Sequence, residues 1–162
     1  GDYISPPEKG LKAFSRNYTS TLFDKEGYEE GLHLSLFSGF EDTESYLNYM
    51  DSFFGSIDAN DLLGMLNTWQ IGDVGKHEKF SYNTKEALAN INCPALVMPS
   101  STDLSFPARN NIPEVKEMPN AELRVIKTKH GHLAGGMSTI LTSQEDVTFI
   151  DKNIKEFLNK IT

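Results

Sequence analysis

The stretch PALVMP at residues 94–99 is a short apolar run with a proline at each end. It lacks the polar alternation of a half-exposed strand, so it predicts a strand of about five residues with both faces covered, as in a parallel sheet. The run AELRVIK at residues 121–127 predicts a second strand. Between them, Pro107 suits the first position of a helix, and residues 114–118 can form a short helix. A helical crossover makes two strands parallel, so this part of the sequence predicts an α/β fold.

A charged or titratable residue follows each predicted strand. Asp103 is five residues past Met98, and His132 is six residues past Ile126. Because catalytic groups gather at the carboxyl edge of parallel strands, we expect these two side chains to lie close together. An aspartate there can accept Nδ1–H from the imidazole and fix its tautomer, which leaves Nε2 as a base toward a serine hydroxyl. The acid precedes the histidine, as in α/β-hydrolase triads.

Each of these residues has a simpler explanation when it is taken alone. An aspartate after a strand is commonly a turn residue. His130 and His132 could share one face of an extended segment and bind a metal, but no cluster of cysteines or carboxylates in the sequence completes such a site. The sequence therefore predicts no metal site. The joint placement of Asp103 and His132 after consecutive strands favours catalysis.

The N-terminal half has a helical pattern that is rich in aromatic residues. One predicted helix carries Leu11, Phe14, Tyr18 and Leu22 on one face. Residues 45–54 predict a second helix, and Asp58 or Asn60 can cap a third. Residues 32–36 alternate in polarity, which fits either a strand or a helix. At the other end of the chain, residues 143–161 predict a strongly amphipathic helix.

The charge of the chain limits its partners. A net charge of -8 and a sequence pI of about 4.9 disfavour binding to nucleic acid through a basic surface. The single cysteine, Cys93, cannot form an intrachain disulfide, which is compatible with a reducing compartment. No apolar run is long enough for a membrane span, and no signal peptide begins the chain. We therefore expect a cytoplasmic protein without a nucleic-acid or membrane partner.

Several segments carry a resemblance to a known family. They are SYL (45–47), SIDANDL (56–62), TWQIGDV (68–74), EALANINCPALVM (86–98), Thr102 with Asp103, Phe106 with Pro107, and Gly131 with His132. In this order they resemble the C-terminal part of the homoserine O-acetyltransferase-like α/β-hydrolases. The resemblance implies a partial α/β-hydrolase fold, with two parallel strands and flanking helices after a helical lid. It divides the chain into a lid-like region, residues 1–75, and an α/β-hydrolase segment, residues 76–162.

The resemblance also implies a chemistry. Asp103 and His132 would be the acid and base of a Ser-His-Asp triad, in acyl transfer or ester hydrolysis through an acyl-serine intermediate. The substrate would be a small acyl compound, and no cofactor is implied, although an acyl-CoA could be the acyl donor. True homoserine transacetylases have an aspartate after the histidine, where this chain has Leu133. Homoserine is therefore a doubtful substrate.

The nucleophile of such a triad is missing from the sequence. No G-x-S-x-G motif occurs in the 162 residues. Ser138, in GMSTI, comes after His132, which is the wrong order, and Cys93 lies just before a strand. In the family the serine lies upstream of the lid. The triad serine is therefore expected on a missing or separate chain.

The two predicted strands raise a folding problem as well. Both would be edge strands with uncovered apolar faces. We therefore expect an N-terminal partner chain or a homodimer. An alternative is a truncated family member without hydrolase activity, which serves as a binding or assembly module. In a variant of that alternative, Asp103 and His132 carry out acid–base chemistry without a nucleophile.

Overall fold

The computed structural model describes residues 1–37, 39–136 and 143–161 of the protein. Its N-terminal half is helical, as the apolar periodicity predicts. The helices of this half are α1 (Glu8–Thr19), α2 (Lys25–Glu29), α3 (Thr43–Gly55) and α4 (Ala59–Ile71). Residues 32–36, whose pattern fits either a strand or a helix, contain a short 3-10 helix at Leu32–Ser35.

The C-terminal half combines helices with two short strands. Its elements are a 3-10 turn (Glu78–Phe80), α5 (Thr84–Ala89), β1 (Ala95–Val97), α6 (Ala108–Glu117), β2 (Ala121–Leu123), a 3-10 turn (Gly131–Leu133) and α7 (Gln144–Ile161). The strands are parallel, with Ala95 opposite Ala121 and Val97 opposite Leu123. The predicted α/β fold with two parallel strands is confirmed.

Both strands are shorter than the apolar runs that predict them. Beyond β1 and β2 the two segments stay paired through separate bonds: Ile126 donates its N–H to the carbonyl of Pro99 at 2.9 Å, and Ser101 donates to the carbonyl of Ile126 at 2.8 Å. Pro99 has no N–H, so it cannot contribute a donor to a regular ladder. The paired segments nevertheless run as far as the two loops that carry Asp103 and His132.

The crossover helix differs from its prediction in both length and start. Pro107 precedes α6 as its N-cap residue and does not take the first helical position. The helix begins at Ala108, well before residues 114–118, and Pro113 lies inside it. A proline in a helix removes one backbone hydrogen bond. The helix nevertheless continues past Pro113 and ends at Glu117.

The helices α2 to α5 each begin at a side chain that caps their first turn. These capping residues are Asp24 for α2, Asp42 for α3, Asp58 for α4 and Asn83 for α5. Each accepts a backbone N–H that has no partner inside the helix. Of the two caps that the sequence offers for α4, Asp58 accepts the N–H of Asn60 at 2.8 Å.

The main core lies in the helical half. Its buried apolar side chains are Leu11, Leu22, Phe23, Leu36, Tyr46, Met50, Phe54 and Leu62. At its margin, Arg16 on α1 holds Asp51 on α3 through three hydrogen bonds: Nε to Oδ1 at 3.1 Å, Nε to Oδ2 at 3.0 Å and Nη2 to Oδ2 at 2.7 Å. The hydrogen bond from Arg16 keeps the pKa of the Asp51 carboxyl below its ordinary value. This ion pair joins α1 and α3, which pack against each other.

Two helices present apolar side chains that the described residues leave uncovered. On α7, Ile154 and Ile161 are exposed, although the periodicity places them on the apolar face of the helix. On α4, Leu62 is buried, whereas Leu63 and Trp69 are exposed. Periodicity identifies the apolar face of a helix, but the burial of that face depends on what packs against it. Among the described helices, none has the length and hydropathy to cross a bilayer.

Candidate active site

The structure brings Asp103 and His132 together. Asp103 lies in the loop after β1, and His132 lies in the 3-10 turn after β2. Nδ1 of His132 is 3.1 Å from Oδ2 of Asp103. The side chain of His132 is 21% exposed, and that of Asp103 is 11% exposed. An aspartate in this position can accept the Nδ1–H of the imidazole, so that Nε2 is the basic nitrogen.

The carboxylate of Asp103 is held in a fixed orientation by its own loop. Oδ1 accepts the backbone N–H of Ser105 at 2.7 Å and that of Phe106 at 2.9 Å. This is the turn geometry that aspartate favours, in which a side-chain oxygen bonds to backbone groups two or three residues ahead. Oδ2 is therefore the oxygen that faces His132. Asp103 therefore stabilises its own turn through Oδ1 and contacts His132 through Oδ2.

The loops that carry the acid and the histidine are hydrogen-bonded to each other. The hydroxyl of Thr102 donates to the carbonyl of Thr128 at 2.8 Å and accepts the N–H of Gly131 at 3.2 Å. Thr128 also donates its N–H to Oγ of Ser101 at 3.2 Å. These bonds join the residues next to Asp103 to those next to His132. The separation of the two side chains is therefore set by the backbone on both sides.

The histidine loop also rests on the helical half. His132 donates its backbone N–H to the carbonyl of Leu22 at 2.8 Å. Gly131 has a φ of 54°, and a Cβ placed on it would lie 2.5 Å from the carbonyl oxygen of Leu22 and 2.8 Å from Cα of Phe23. Those are backbone atoms between α1 and α2, which cannot move aside as a flexible side chain can. A glycine is therefore required at residue 131.

The substitution Gly131→Ala is expected to lower the free energy of unfolding by about 2 kcal/mol, because alanine is strained in the left-handed region and its methyl group meets backbone atoms. Gly64→Ala is the matched control. Gly64 lies inside α4, and apart from its chain neighbours and the nearby backbone of α4 itself no atom of the described structure comes within 4 Å of the place that an alanine methyl group would take there. Alanine at residue 64 should stabilise the helix by roughly 0.5–1 kcal/mol. Urea denaturation of both variants measures the difference, and equal midpoints would contradict this role of Gly131.

Aromatic side chains from both halves surround the imidazole of His132. The ring of Tyr18 on α1 lies edge-on to it with centroids 6.1 Å apart, and the ring of Phe106 lies 5.6 Å away. Trp69 on α4 packs edge-on against Phe106 at 6.0 Å. Burial, together with the charge of Asp103, raises the pKa of Tyr18. The helical half therefore supplies part of the wall beside the Asp103–His132 pair.

The sequence gives no direct sign that these rings share a site. Tyr18 falls on the apolar face predicted for the first helix, and Trp69 lies in α4, the third helix that the sequence predicts. Both positions look like ordinary core residues. Their contacts with the site join segments far apart in the chain, and helical periodicity carries no information about such contacts. Phe106 is the one with a local signal, because it follows Asp103 closely.

Two other residues considered in the sequence, Cys93 and His130, do not join this pair. Cys93 is exposed and lies just before β1. Ser138 lies outside the described residues. His130 faces Thr128 and Asp146, with its Nδ1 3.3 Å from Oδ2 of Asp146, so it does not share a ligand set with His132. Within the described residues, no group of three or more histidine, cysteine, aspartate or glutamate side chains has the arrangement of a metal site.

Comparisons of the sequence with known proteins find esterases and, at lower identity, homoserine O-acetyltransferases. No protein-family model matches the chain. A probable esterase of Corynebacterium glutamicum is 35% identical over 159 residues, which covers 96% of this chain and 43% of that protein. The ethyl acetate hydrolase of Pseudomonas veronii is 33% identical over 125 residues, or 76% of this chain and 35% of that protein. A homoserine O-acetyltransferase of Emericella nidulans is 26% identical over 98% of this chain and 32% of that protein.

The fold agrees with these similarities. The crystal structure of an acetylester hydrolase from Corynebacterium glutamicum superposes with a TM-score of 0.81 and 33% identity, over 98% of this chain and 44% of that one. The chain thus spans less than half the length of the relatives that it matches. The esterases are more similar to it than the homoserine O-acetyltransferase, which corrects the emphasis of the sequence resemblance. In sequence and in fold, this chain matches the C-terminal part of α/β-hydrolase esterases, with homoserine O-acetyltransferases as more distant homologues.

Proposed function

We propose that this chain provides the acid and the base of a serine esterase that hydrolyses small, uncharged acetyl esters. The observation that carries the proposal is the 3.1 Å contact between Nδ1 of His132 and Oδ2 of Asp103. The fixed orientation of Asp103 supports it, because its other oxygen is bonded to two backbone N–H groups. A pair held in this way is ready to act without rearrangement of either loop.

In the proposed mechanism, Asp103 accepts Nδ1–H of His132 and stabilises the imidazolium that forms. Nε2 takes the proton of a serine hydroxyl while the serine oxygen attacks the ester carbonyl. His132 then gives this proton to the leaving alcohol, and an acyl-serine remains. Water attacks the acyl-serine, again losing a proton to Nε2, and the acid is released as the proton returns to the serine. The serine and the oxyanion-hole donors would come from sequence that this chain does not contain.

Two observations favour ester hydrolysis over transfer to an amino acid. The residue after His132 is Leu133, which cannot bind an ammonium group as an aspartate can. The rings of Tyr18 and Phe106 beside His132 suit an apolar alcohol or acyl group. The similar proteins that are named as esterases or as an ethyl acetate hydrolase agree with this preference. The proposed hydrolysis needs no cofactor, and an acyl-CoA would enter only as an acyl donor in a transfer reaction.

The second candidate function is acyl transfer. Its support is the 26% identity to a homoserine O-acetyltransferase over nearly the whole chain. In that reaction an acceptor hydroxyl would replace water at the acyl-serine, and Asp103 and His132 would keep the same roles. Measuring whether L-homoserine diverts the acetyl group from acetate to O-acetylhomoserine distinguishes the two functions.

The proposal includes a partner for the uncovered surfaces. β1 and β2 are only half-buried, and the apolar faces of α4 and α7 are partly exposed within the described structure. An N-terminal segment, in the same polypeptide or in a separate one, would cover these surfaces and supply the serine; a homodimer would cover them without supplying one. A cytoplasmic location is part of the same proposal, in keeping with the free, exposed thiol of Cys93.

The test is to isolate the protein from its source and treat it with a serine-directed fluorophosphonate. The label is expected on a serine within a G-x-S-x-G sequence that lies outside the 162 residues, because an acyl-serine mechanism needs that nucleophile. Peptide mass spectrometry locates the label. Absence of both the label and any associated polypeptide with this motif would reject the esterase proposal and favour a binding or assembly module.

A further inference from the structure

We infer that Asp146, Thr128 and His130 form a second hydrogen-bonded network, which holds the loop of His132 in register with Asp103. The inference rests on the proposed function, since it assigns these residues a positioning role for the catalytic histidine. The network joins the histidine loop to α7, and none of its side chains takes part in the contact between Asp103 and His132. It is the one buried acid–imidazole contact in the described structure apart from that pair.

The hydroxyl of Thr128 is the centre of the network. It donates to Oδ2 of Asp146 at 2.6 Å, and it lies 2.9 Å from Nδ1 of His130. It also accepts the backbone N–H of His130 at 3.1 Å. A threonine hydroxyl has a single proton, so donation to Asp146 makes it an acceptor toward the ring. Nδ1 of His130 must then carry a proton, which sets the tautomer of this histidine.

The burial of these groups is unusual for their chemistry. Asp146 is 4% exposed and His130 is 9% exposed. Nε2 of His130 is buried with no hydrogen-bond partner among the described residues. Burying a carboxylate and an imidazole nitrogen costs free energy that an apolar pair would not cost. Because these buried groups cost folding free energy, we explain the network by the position that it gives to the histidine loop rather than by a contribution to stability.

Asp146 anchors the network to a long element. It lies in the first turn of α7, where the helix dipole favours a negative charge. Its backbone N–H donates to Oγ of Ser143 at 3.2 Å, so the Ser143 side chain satisfies a donor in this first turn. The histidine loop is thus tied through Thr128 to the start of an 18-residue helix.

The connection from His130 to His132 leaves little freedom. One residue, Gly131, separates them, and it is closed in by the backbone of Leu22 and Phe23. Its N–H is bonded to Thr102, and the N–H of His132 is bonded to Leu22. A displacement of His130 is therefore passed on to His132, whose distance from Asp103 would change. Misplacement of a catalytic group by an ångström can cost about a hundredfold in rate.

The test uses Thr128→Val and Asp146→Asn in the assembled protein that contains the nucleophile. Thr128→Val removes the central hydroxyl at nearly constant volume, and Asp146→Asn removes the charge while keeping an acceptor for Thr128. Thr128→Val is expected to lower kcat at least about tenfold with little change in KM, since it displaces the base without touching the substrate. Asp146→Asn weakens the network but keeps its hydrogen bond, so it is expected to lower kcat by a smaller factor. Thr128→Ser should restore kcat. The controls are Thr148→Val and Asp151→Asn, which change exposed residues of α7 and should leave kcat unchanged.

A second measurement does not depend on activity. Proton NMR of the histidine-labelled protein detects the Nδ1 proton of His132, whose exchange with water is expected to accelerate in both test variants. Unchanged kcat together with unchanged exchange would overturn the positioning role, as would a loss of kcat that Thr128→Ser does not restore. Failure of the esterase proposal gives a different result: wild-type protein and variants are equally inactive, while the Nδ1 proton still responds to Thr128→Val.

Discussion

The substitution His132→Ala is expected to lower kcat for ester hydrolysis by about 10⁴- to 10⁶-fold in the assembled protein, with KM little changed. The reason is that His132 is assigned every proton transfer of the reaction, from the serine to the alcohol and from water to the serine. Alanine can perform none of them. The substrate pocket should survive, because the backbone N–H of residue 132 still reaches the carbonyl of Leu22. Steady-state kinetics with ethyl acetate measure the loss.

The control for this experiment is His77→Ala. His77 is exposed, and its Nδ1 accepts only the N–H of Lys79 at the start of a 3-10 turn. Its replacement should leave kcat within about twofold of the unchanged protein, as expected for an exposed residue away from the site. Hydrolysis that continues at the same rate in His132→Ala would exclude His132 as the base, and with it the triad.

The juxtaposition of Asp103 and His132 could be predicted from sequence because it depends on topology more than on packing. Two apolar runs and a crossover make parallel strands, and parallel strands place Asp103 and His132 at the same edge. This shared edge largely accounts for the 3.1 Å contact between the two side chains. The limits of the strands were less predictable: β1 ends at Val97, before the proline that closes the apolar run, and β2 ends at Leu123, before Ile126.

The surroundings of the pair could not be predicted in the same way. Tyr18 reaches the site only because α1 packs beside the histidine loop, and His130 is held by Asp146 from a helix that follows it in the chain. Both contacts depend on tertiary packing that a local pattern does not encode. On α7 the local pattern is clear, but the described structure does not bury the face that it predicts. Its residues are patterned for burial, yet Ile154 and Ile161 are exposed in the described structure, in agreement with the proposal that a further segment covers this face.

The second large effect is expected from Asp103→Asn, and its cause lies in how this side chain is held. Oδ1 of Asp103 accepts two backbone N–H groups, from Ser105 and Phe106. An asparagine would keep these bonds by placing its carbonyl oxygen there, since its NH₂ group cannot accept them. The NH₂ group would then face Nδ1 of His132, which must become an acceptor. The proton of the neutral imidazole would move to Nε2, the nitrogen that has to act as the base.

Asp103→Asn should therefore lower kcat about 10⁴-fold while the loop keeps its structure, because the substitution reverses the tautomer of His132 and removes the charge that stabilises the imidazolium. Asp73→Asn is the matched control: Asp73 also accepts a backbone N–H, from Gly75 at 2.8 Å, and within the described residues its side chain contacts no histidine. Nitrogen chemical shifts of His132 report the tautomer directly. An Asp103→Asn variant with unchanged kcat, or with the proton still on Nδ1, would show that Asp103 serves the turn alone. A reversed tautomer with a large loss of kcat, beside a fully active Asp73→Asn, would separate its catalytic role from its role in the turn.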